Sequence, residues 1–568
     1  MDKLKKRIAI LGGGPSALFM YKRFVEARRD DIEISIFERK QQLGSGMPYS
    51  AEGANYEHIT NVSDNEIPTI VCHITDWVKT LPIDYLAQFN IDPENFNEYR
   101  VLPRLFFGKY LSAQFDLLKQ MADKQGLKTN IYLGVEVIDI VDLPEEQKVK
   151  VKLANDDTFT FDQVIVCTGH NWPKKYEGKT DGYFDSPYPP SKISLQINHP
   201  VAIKGSSLTA IDAIRTLSRK NGRFEWDKND ELVYVLNKKS EGFKLIMHSK
   251  NGMLPAVRFH LEDPRLSGKS LLSKEEIQAH REDNNGFISL DYIFEKDFKE
   301  IIKTKDPEFY SQIAEMKLEV FVDFLMDLRE RLDPFQLLRA EYLEAEKSIK
   351  RKQSVYWKEL LAMLSFAMNY PAKYLAAEDM LRLQKILMPL ISIVIAFVPQ
   401  TSCRELLALH KAGVLDLIAV GVDSEIEVKE NGGIIYHYQA ENGKSESVYY
   451  QTFIDCVGQP HLNYHQFPFK SLVAEGTISP AKLKFKSKQE GEAANFDNEE
   501  AVELTETGDY YLKVPGIAIN DNFNVVDEYG AFNDRIFMMA VPYIGGFNPD
   551  YSGLDFSEEA SARIIKSV

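Results

Sequence analysis

The sequence predicts an α/β protein: two βαβ-containing halves on one chain of 568 residues, interrupted by a largely helical insertion. Three observations predict it. The apolar run Ile8 to Leu11 leads directly into the turn Gly12 to Ala17 and an apolar helical segment, Ala17 to Val25. The run Val201 to Ile203 leads into a related turn, Gly205 to Ala210, and an amphipathic helix through Leu217. Between about Glu262 and Val398 the pattern changes to helical spacing, and strands return after Gly421.

The first turn reads G-x-G-x-x-A in strand–turn–helix context. Gly12 allows the tight turn, Gly14 lets the backbone approach a pyrophosphate, and Ala17 lets helix and strand pack closely. Pro15 and Ser16 open the helix, whose free N–H groups suit an anion. The strand Ile32 to Phe37 ends in Glu38, which can bond the hydroxyls of an adenosine ribose, with Arg39 beside it. The second turn, Gly205-Ser206-Ser207-Leu208-Thr209-Ala210, is a weaker copy, with Ser207 in place of the middle glycine. Two such turns in one chain predict two Rossmann-like dinucleotide sites.

Bulk composition bounds the function. A net charge of −16 without a basic run disfavours nucleic acid as a partner. The apolar start of the chain is too brief for a signal peptide and is already used as the first strand. Met388 to Val398 is too short to span a membrane and reads as a buried helix. Cys72, Cys167, Cys403 and Cys456 are far apart, with no CxxC or zinc spacing, so neither a metal site nor a redox-active pair is expected. A cytoplasmic location is expected, and oligomeric state is left open.

Along the chain, Tyr132 to Val141 and Phe161 to Cys167 are strand-like, the latter ending in Thr168-Gly169. A polar interruption, Lys220 to Asp230, precedes strand-like runs at Leu232 to Leu236 and Phe243 to His248. Ala314, Leu318, Phe321, Leu325, Leu328 and Leu332 draw one apolar helical stripe. Val428 to Tyr438 and Tyr449 to Val457 read as strands, and Phe485 to Glu503 as a polar surface loop.

These two turns, with the Val166 to Gly169 strand end between them, resemble the two-dinucleotide-binding flavoproteins. More finely, the chain resembles the bacterial FAD–NAD(P)-binding protein family, relatives of flavin-containing and N-hydroxylating monooxygenases. The segments that carry the likeness are Gly44 to Tyr49, including Gly46 and Met47; His58 to Val62; Leu102 to Arg104 with Phe107 to Leu111; Val166 to Pro173; and Gly205 to Asp212. The resemblance covers residues 5 to 260 well and thins beyond them. It implies an FAD domain in 1–195 and 461–568, an NAD(P) domain in 196–261 and 399–460, and a helical insertion at 262–398. It departs at the F-x-G-x-x-x-H fingerprint, which is not evident, and at Ser207.

The resemblance implies an NAD(P)H-consuming FAD oxidoreductase, most simply a monooxygenase using a C4a-(hydro)peroxyflavin and oxygen on a small-molecule substrate. An NAD(P)H oxidase or acceptor reductase and a flavin-bound sensor or interaction protein stay open beside it. The implied FAD contacts add Tyr49, Asn61, Arg104, Val137, Thr168, Gly169, Gly545 and Gly546 to the first-turn residues. Asn61 is the candidate catalytic residue, since its amide can hold a peroxide oxygen or water; the other reading is an Asn satisfied by its own loop. Arg104 is read as pairing with cofactor phosphate, substrate carboxylate or a structural acid, and His58 as structural rather than catalytic. Ser249 and Lys250, without a carboxylate nearby, favour NADPH over NADH at the second site, although Lys250-Asn251-Gly252 is also an ordinary turn sequence. The helical insertion is expected to form a lid on the active-site side.

Overall fold

The computed structural model describes residues 5–170, 172–263, 271–440, 442–459, 461–549 and 553–568, and leaves out the side chain of Leu328. Asn171, within the Val166 to Pro173 segment, lies outside the described residues.

The first sheet runs Asn524–Val526, Phe532–Met538, Gln163–Val166, Lys6–Leu11, Ile32–Glu38, Lys128–Leu133. All neighbours are parallel except the Asn524–Val526 edge. A parallel sheet covered on both faces needs apolar residues at successive positions, and Ile8 to Leu11 are fully buried. Leu11 is in register with both Phe37 and Val166, which brings three strand ends together beneath the Gly12 turn. The helix Pro15–Ala27 starts from that turn, and the chain's final helix, Gly553–Ile564, packs against it.

The second sheet, Tyr183–Phe184, Thr452–Asp455, Pro200–Lys204, Lys244–Ser249, Leu415–Ala419, is wholly parallel. Lys204 is in register with His248 and Asp455, so this sheet repeats the geometry of the first around Gly205. The second turn continues into the helix Leu208–Asn221.

Three sequence expectations are corrected. The interruption after the second helix is a hairpin, Gly222–Trp226 with Leu232–Leu236. Alternation explains it: Phe224 packs against Tyr234 with their rings tilted, while Arg223 and Glu225 face solvent. The segment Phe485 to Glu503 holds a helix, Lys488–Asp497, capped by the Ser487 hydroxyl, and the start of a strand at Val502. The apolar stripe belongs to more than one element: Ala314 ends the Pro307–Ile313 helix, and a new helix spans Leu318–Glu330. Leu318, Phe321 and Leu325 are buried, while Leu332 is half exposed beyond the helix end.

The helical region is not a detached module. Phe298, Phe321 and Leu361 share a core with Ile8, Phe37 and Phe556 of the first half. Phe335 and Leu338 share a second core with Val201, Leu245 and Leu406. Met388–Ile395 is the buried helix expected, with Leu390, Ile391 and Val394 inside. No helix among the described residues is long and apolar enough to cross a membrane.

Candidate functional site

A cavity of about 370 Å³ opens at the C-terminal ends of the first sheet. Its floor is the Gly12 to Ser16 turn; Glu38 and Arg39 stand at one end, Thr168 and Gly169 at the other. Gly12 has φ +101°, and a Cβ there would lie 2.7 Å from the Cys167 carbonyl, so the turn itself demands glycine. Gly14 differs. Its φ is −81°, and a Cβ would meet nothing nearer than Gly46 Cα at 3.4 Å. Its small size serves the cavity rather than the backbone.

The Glu38 carboxylate accepts from the Gly13 N–H (2.6 Å) and the Lys40 N–H (2.9 Å). These bonds hold it at the end of its strand and leave acceptor positions for a diol. Thr168 Oγ1 is buried in the cavity wall without a hydrogen-bond partner, a group that a polar ligand atom would satisfy. The helix Pro15–Ala27 has no side-chain cap, so its first N–H groups remain for an anion. An open cradle at Gly14, an acid at the ribose position and an orphaned hydroxyl at the far end together fit FAD.

The first cavity continues into a cleft of about 330 Å³ between the two sheets; Met47, Pro48, His170, Val541 and Pro542 line both. The opposite wall carries Thr209 of the second turn and Val457-Gly458. Gly205 repeats the backbone demand of Gly12, with φ +105° and the Cys456 carbonyl 2.9 Å from its Cβ position. All four cysteines are free, and burial pushes the Cys167 and Cys456 thiols up, away from redox reactivity.

At the cleft wall, Arg104 opens the helix Arg104–Gln125 and meets Asp212 of the second domain's helix. Its two terminal nitrogens donate to the Asp212 oxygens at 2.6 and 3.1 Å, and its Nε donates to the Ile59 carbonyl. The Tyr188 hydroxyl donates to the same carboxylate at 2.6 Å. Burial alone would raise the Asp212 carboxyl; Arg104 overcomes it and holds the group below the usual range. His58 Nδ1 accepts from the Asn55 N–H, so its Nε2–H points to the Asp212 carbonyl and Thr216 Oγ1, each 3.1 Å away. Burial holds His58 low, hence neutral, and it is an interdomain strut.

The structure brings many of the residues expected at the first site to the wall of one cavity. Gly12, Gly14, Pro15, Ser16, Glu38, Arg39, Gly46, Met47, Tyr49, Val137, Thr168 and Gly169 line the cavity, and Ala17 is buried behind it. Others do not. Arg104 is committed to Asp212 and lines the cleft, not the phosphate end. Asn61 lines neither space; its carbonyl is held by Arg258, which also pairs with buried Glu66. Gly545 and Gly546 pack against His461 and Val514, and the wall is supplied by Val541, Pro542, Tyr543 and the start of the last helix. At the second site, Ser207 is exposed and Leu208 half-buried at the helix start. Ser249 Oγ accepts from the Gly252 N–H, while Lys250 is exposed at the strand end. Among the described residues, none of the helical region lines the cavity or the cleft, so its expected lid role is not supported by its position. The sequence reading missed Tyr188. Asp212 carried a signal: a charge inside Ala210-Ile211-Asp212-Ala213-Ile214 needs a buried partner.

Residues 9–171 match the family model described as FAD-NAD(P)-binding, and residues 273–395 match the YdhS-like middle domain. The uncharacterized protein YdhS of Escherichia coli (strain K12) is 28% identical over 472 residues, spanning 82% of this chain and 86% of its own. Among solved structures, the cadaverine monooxygenase DfoA of Erwinia amylovora aligns over 99% of this chain and 93% of its own, with 10% identity and a TM-score of 0.46. The L-lysine 6-monooxygenase of Pseudomonas syringae aligns over 99% and 98%, with 12% identity and a TM-score of 0.44. The bacillithiol disulfide reductase of Staphylococcus aureus aligns over 99% and 98%, with 10% identity and a TM-score of 0.41. Residues 9–171 thus form an FAD-NAD(P)-binding domain, and the cofactors are FAD and NAD(P).

Proposed function

We propose that the protein is an NADPH-consuming FAD monooxygenase acting on a small molecule in the cleft between its two nucleotide domains. One observation carries the oxidoreductase part of this reading: the flavin cavity and the second glycine turn open onto one cleft through shared walls. Hydride transfer between two cofactors needs such adjacency. FAD supplies the redox chemistry when bound. The chain's part is to hold pyrophosphate on the Pro15–Ala27 helix, orient the ribose through Glu38, and admit the nicotinamide past Thr209. The oxygen-transfer part rests on the resemblance of the His58 to Val62 segment to flavin-containing monooxygenases. Asn61 lies outside the cleft lining, which favours a second reading: an oxidase or acceptor reductase without oxygen transfer. The free cysteines suit a reducing, cytoplasmic setting.

Two measurements test the reading. Anaerobic stopped-flow reduction is expected to be faster with NADPH than with NADH. Lys250→Ala is expected to weaken NADPH by roughly ten-fold and leave NADH unchanged, since only the 2′-phosphate loses a charged contact. Equal use of both nucleotides would remove Ser249 and Lys250 from the specificity site. In air, hydroxylated product in step with NADPH oxidation supports the monooxygenase, whereas stoichiometric hydrogen peroxide with every substrate tried supports the oxidase. Asn61→Ala separates the two further. It raises peroxide release if the amide acts in oxygen transfer, and changes nothing if only the Asn61 backbone is used.

A further inference from the structure

The cleft is walled by groups that cancel one another's charge. Among its described lining residues, Arg104, His170 and Tyr188 are the titratable ones. Burial holds His170 low, so its ring is neutral, and its Nδ1 lies 2.8 Å from Gln459 Oε1. Burial and the Asp212 carboxylate both push the Tyr188 hydroxyl up, keeping it protonated. Arg104 is therefore the one cation in the wall, and Asp212 meets it with two bonds. Glu57 does not line the cleft; it accepts from Thr216 and Asn55. Arg215, on the same helix as Asp212, is committed to Glu405.

Arg104 nevertheless keeps donor capacity. A guanidinium carries five N–H groups, and three are used by Ile59 and Asp212. The Tyr188 oxygen also pairs with Arg104, which leaves one further N–H group, and 16% of the side chain is still exposed. A neutral ion pair with a spare N–H group favours an uncharged acceptor. A carboxylate would have to be desolvated against a cation already neutralised, and an ammonium would find donors where it needs acceptors.

We propose that the Arg104–Asp212–Tyr188 unit makes this cleft a site for uncharged, carbonyl-bearing compounds, and that Asp212 sets this preference by cancelling the Arg104 charge. The proposal rests on the reading that the cleft adjoins the flavin. It names the substrate class for that cleft and also covers the carboxamide of the nicotinamide ring. Asp212 is a positioning residue; Arg104 is the group that touches the ligand.

A matched pyridine series tests it on the FAD-loaded protein: nicotinamide (neutral), nicotinate (anionic) and 3-(aminomethyl)pyridine (cationic). The common ring cancels the stacking contribution, and the readout is the visible difference spectrum of bound FAD at pH 7.5. Nicotinamide is expected to bind at least about ten-fold more tightly than either charged analogue. Asp212→Asn leaves Arg104 uncompensated and is expected to reverse the order of nicotinamide and nicotinate. If that variant does not fold, Arg104→Met/Asp212→Leu removes both charges. It is expected to lose about ten-fold in nicotinamide affinity with no gain for nicotinate. Equal or tighter binding of a charged analogue by the wild type, or no spectral response to any of the three, overturns the proposal. Larger neutral substrates are then compared with the same series to separate a substrate from the nicotinamide as the natural occupant. The oxidoreductase reading fails on a different result, the absence of anaerobic flavin reduction by NADPH and NADH.

Discussion

Gly14→Val is expected to purify folded but nearly colourless, with FAD affinity reduced by roughly 100-fold. Residue 14 has φ −81° and ψ −163°, backbone angles that valine adopts freely. The nearest heavy atom to an added Cβ is 3.4 Å away, so the protein accommodates the first carbon. The γ-carbons then enter the cavity above the first N–H groups of the helix, where the pyrophosphate must sit. Gly12→Ala is the contrasting control. At φ +101°, and 2.7 Å from the Cys167 carbonyl, it is strained whether or not FAD is present, and its loss appears in stability first. Absorbance at 450 nm against 280 nm, with thermal unfolding of both variants, separates the two roles. A folded Gly14→Val protein with full FAD content overturns the assignment of this cavity. Acid precipitation is expected to release the flavin intact, because burial pushes the lining Cys167 thiol up, away from reactivity, and the lining His170 is paired with Gln459.

The parts legible in the sequence are those whose physics is local. Both glycine turns were readable because a strand that ends on φ near +100° needs glycine there, whatever the rest of the chain does. Glu38 was readable because its position follows from the strand after the turn. Asn61 shows the opposite case. A motif places it in the chain but cannot say which way a short strand faces. That is decided by Arg258, 197 residues later, which takes its carbonyl. Arg104 likewise left three partners open, and the choice was made by Asp212, 108 residues away on the other domain. Periodicity found helices at 262–398 but could not find their breaks, since Leu318, Phe321 and Leu325 continue a spacing that begins at Ala314 across a turn. The first strand of the hairpin after Asn221, Gly222–Trp226, was missed because its outward residues are charged and its inward ones few, whereas Leu232–Leu236 was read as a strand.

Glu341→Ala is expected to destabilise the protein by about 3–5 kcal/mol, one of the largest losses from a single side chain. The Glu341 Oε1 accepts from Arg329 at 2.6 Å and from Lys358 at 2.9 Å, and all three side chains are more than nine-tenths buried. Arg329 also donates to the Leu254 carbonyl, tying the helical region to the segment that leaves the second sheet. Removing the carboxylate leaves Lys358 with half-exposed Glu344, but leaves Arg329 with only that carbonyl. The buried guanidinium then carries the penalty. Burial alone would raise the Glu341 carboxyl; Lys358 and then Arg329 overcome it and hold the group below its ordinary 4.5. A depressed folded pKa means this stabilisation is fully present above the unfolded carboxylate range and is lost as pH falls through the folded value. The wild-type advantage over Glu341→Ala, read from urea midpoints, is therefore expected to be constant from pH 8 to 6 and to shrink at lower pH. Arg329→Met/Glu341→Ala removes the stranded charge with its partner and is expected to recover most of the loss. If the double variant is no more stable than the single, the penalty lies in packing rather than in charge. The helical region would then be held to the second domain by the apolar core that Phe335, Leu338, Ala345 and Ala362 share with Val201 and Leu245.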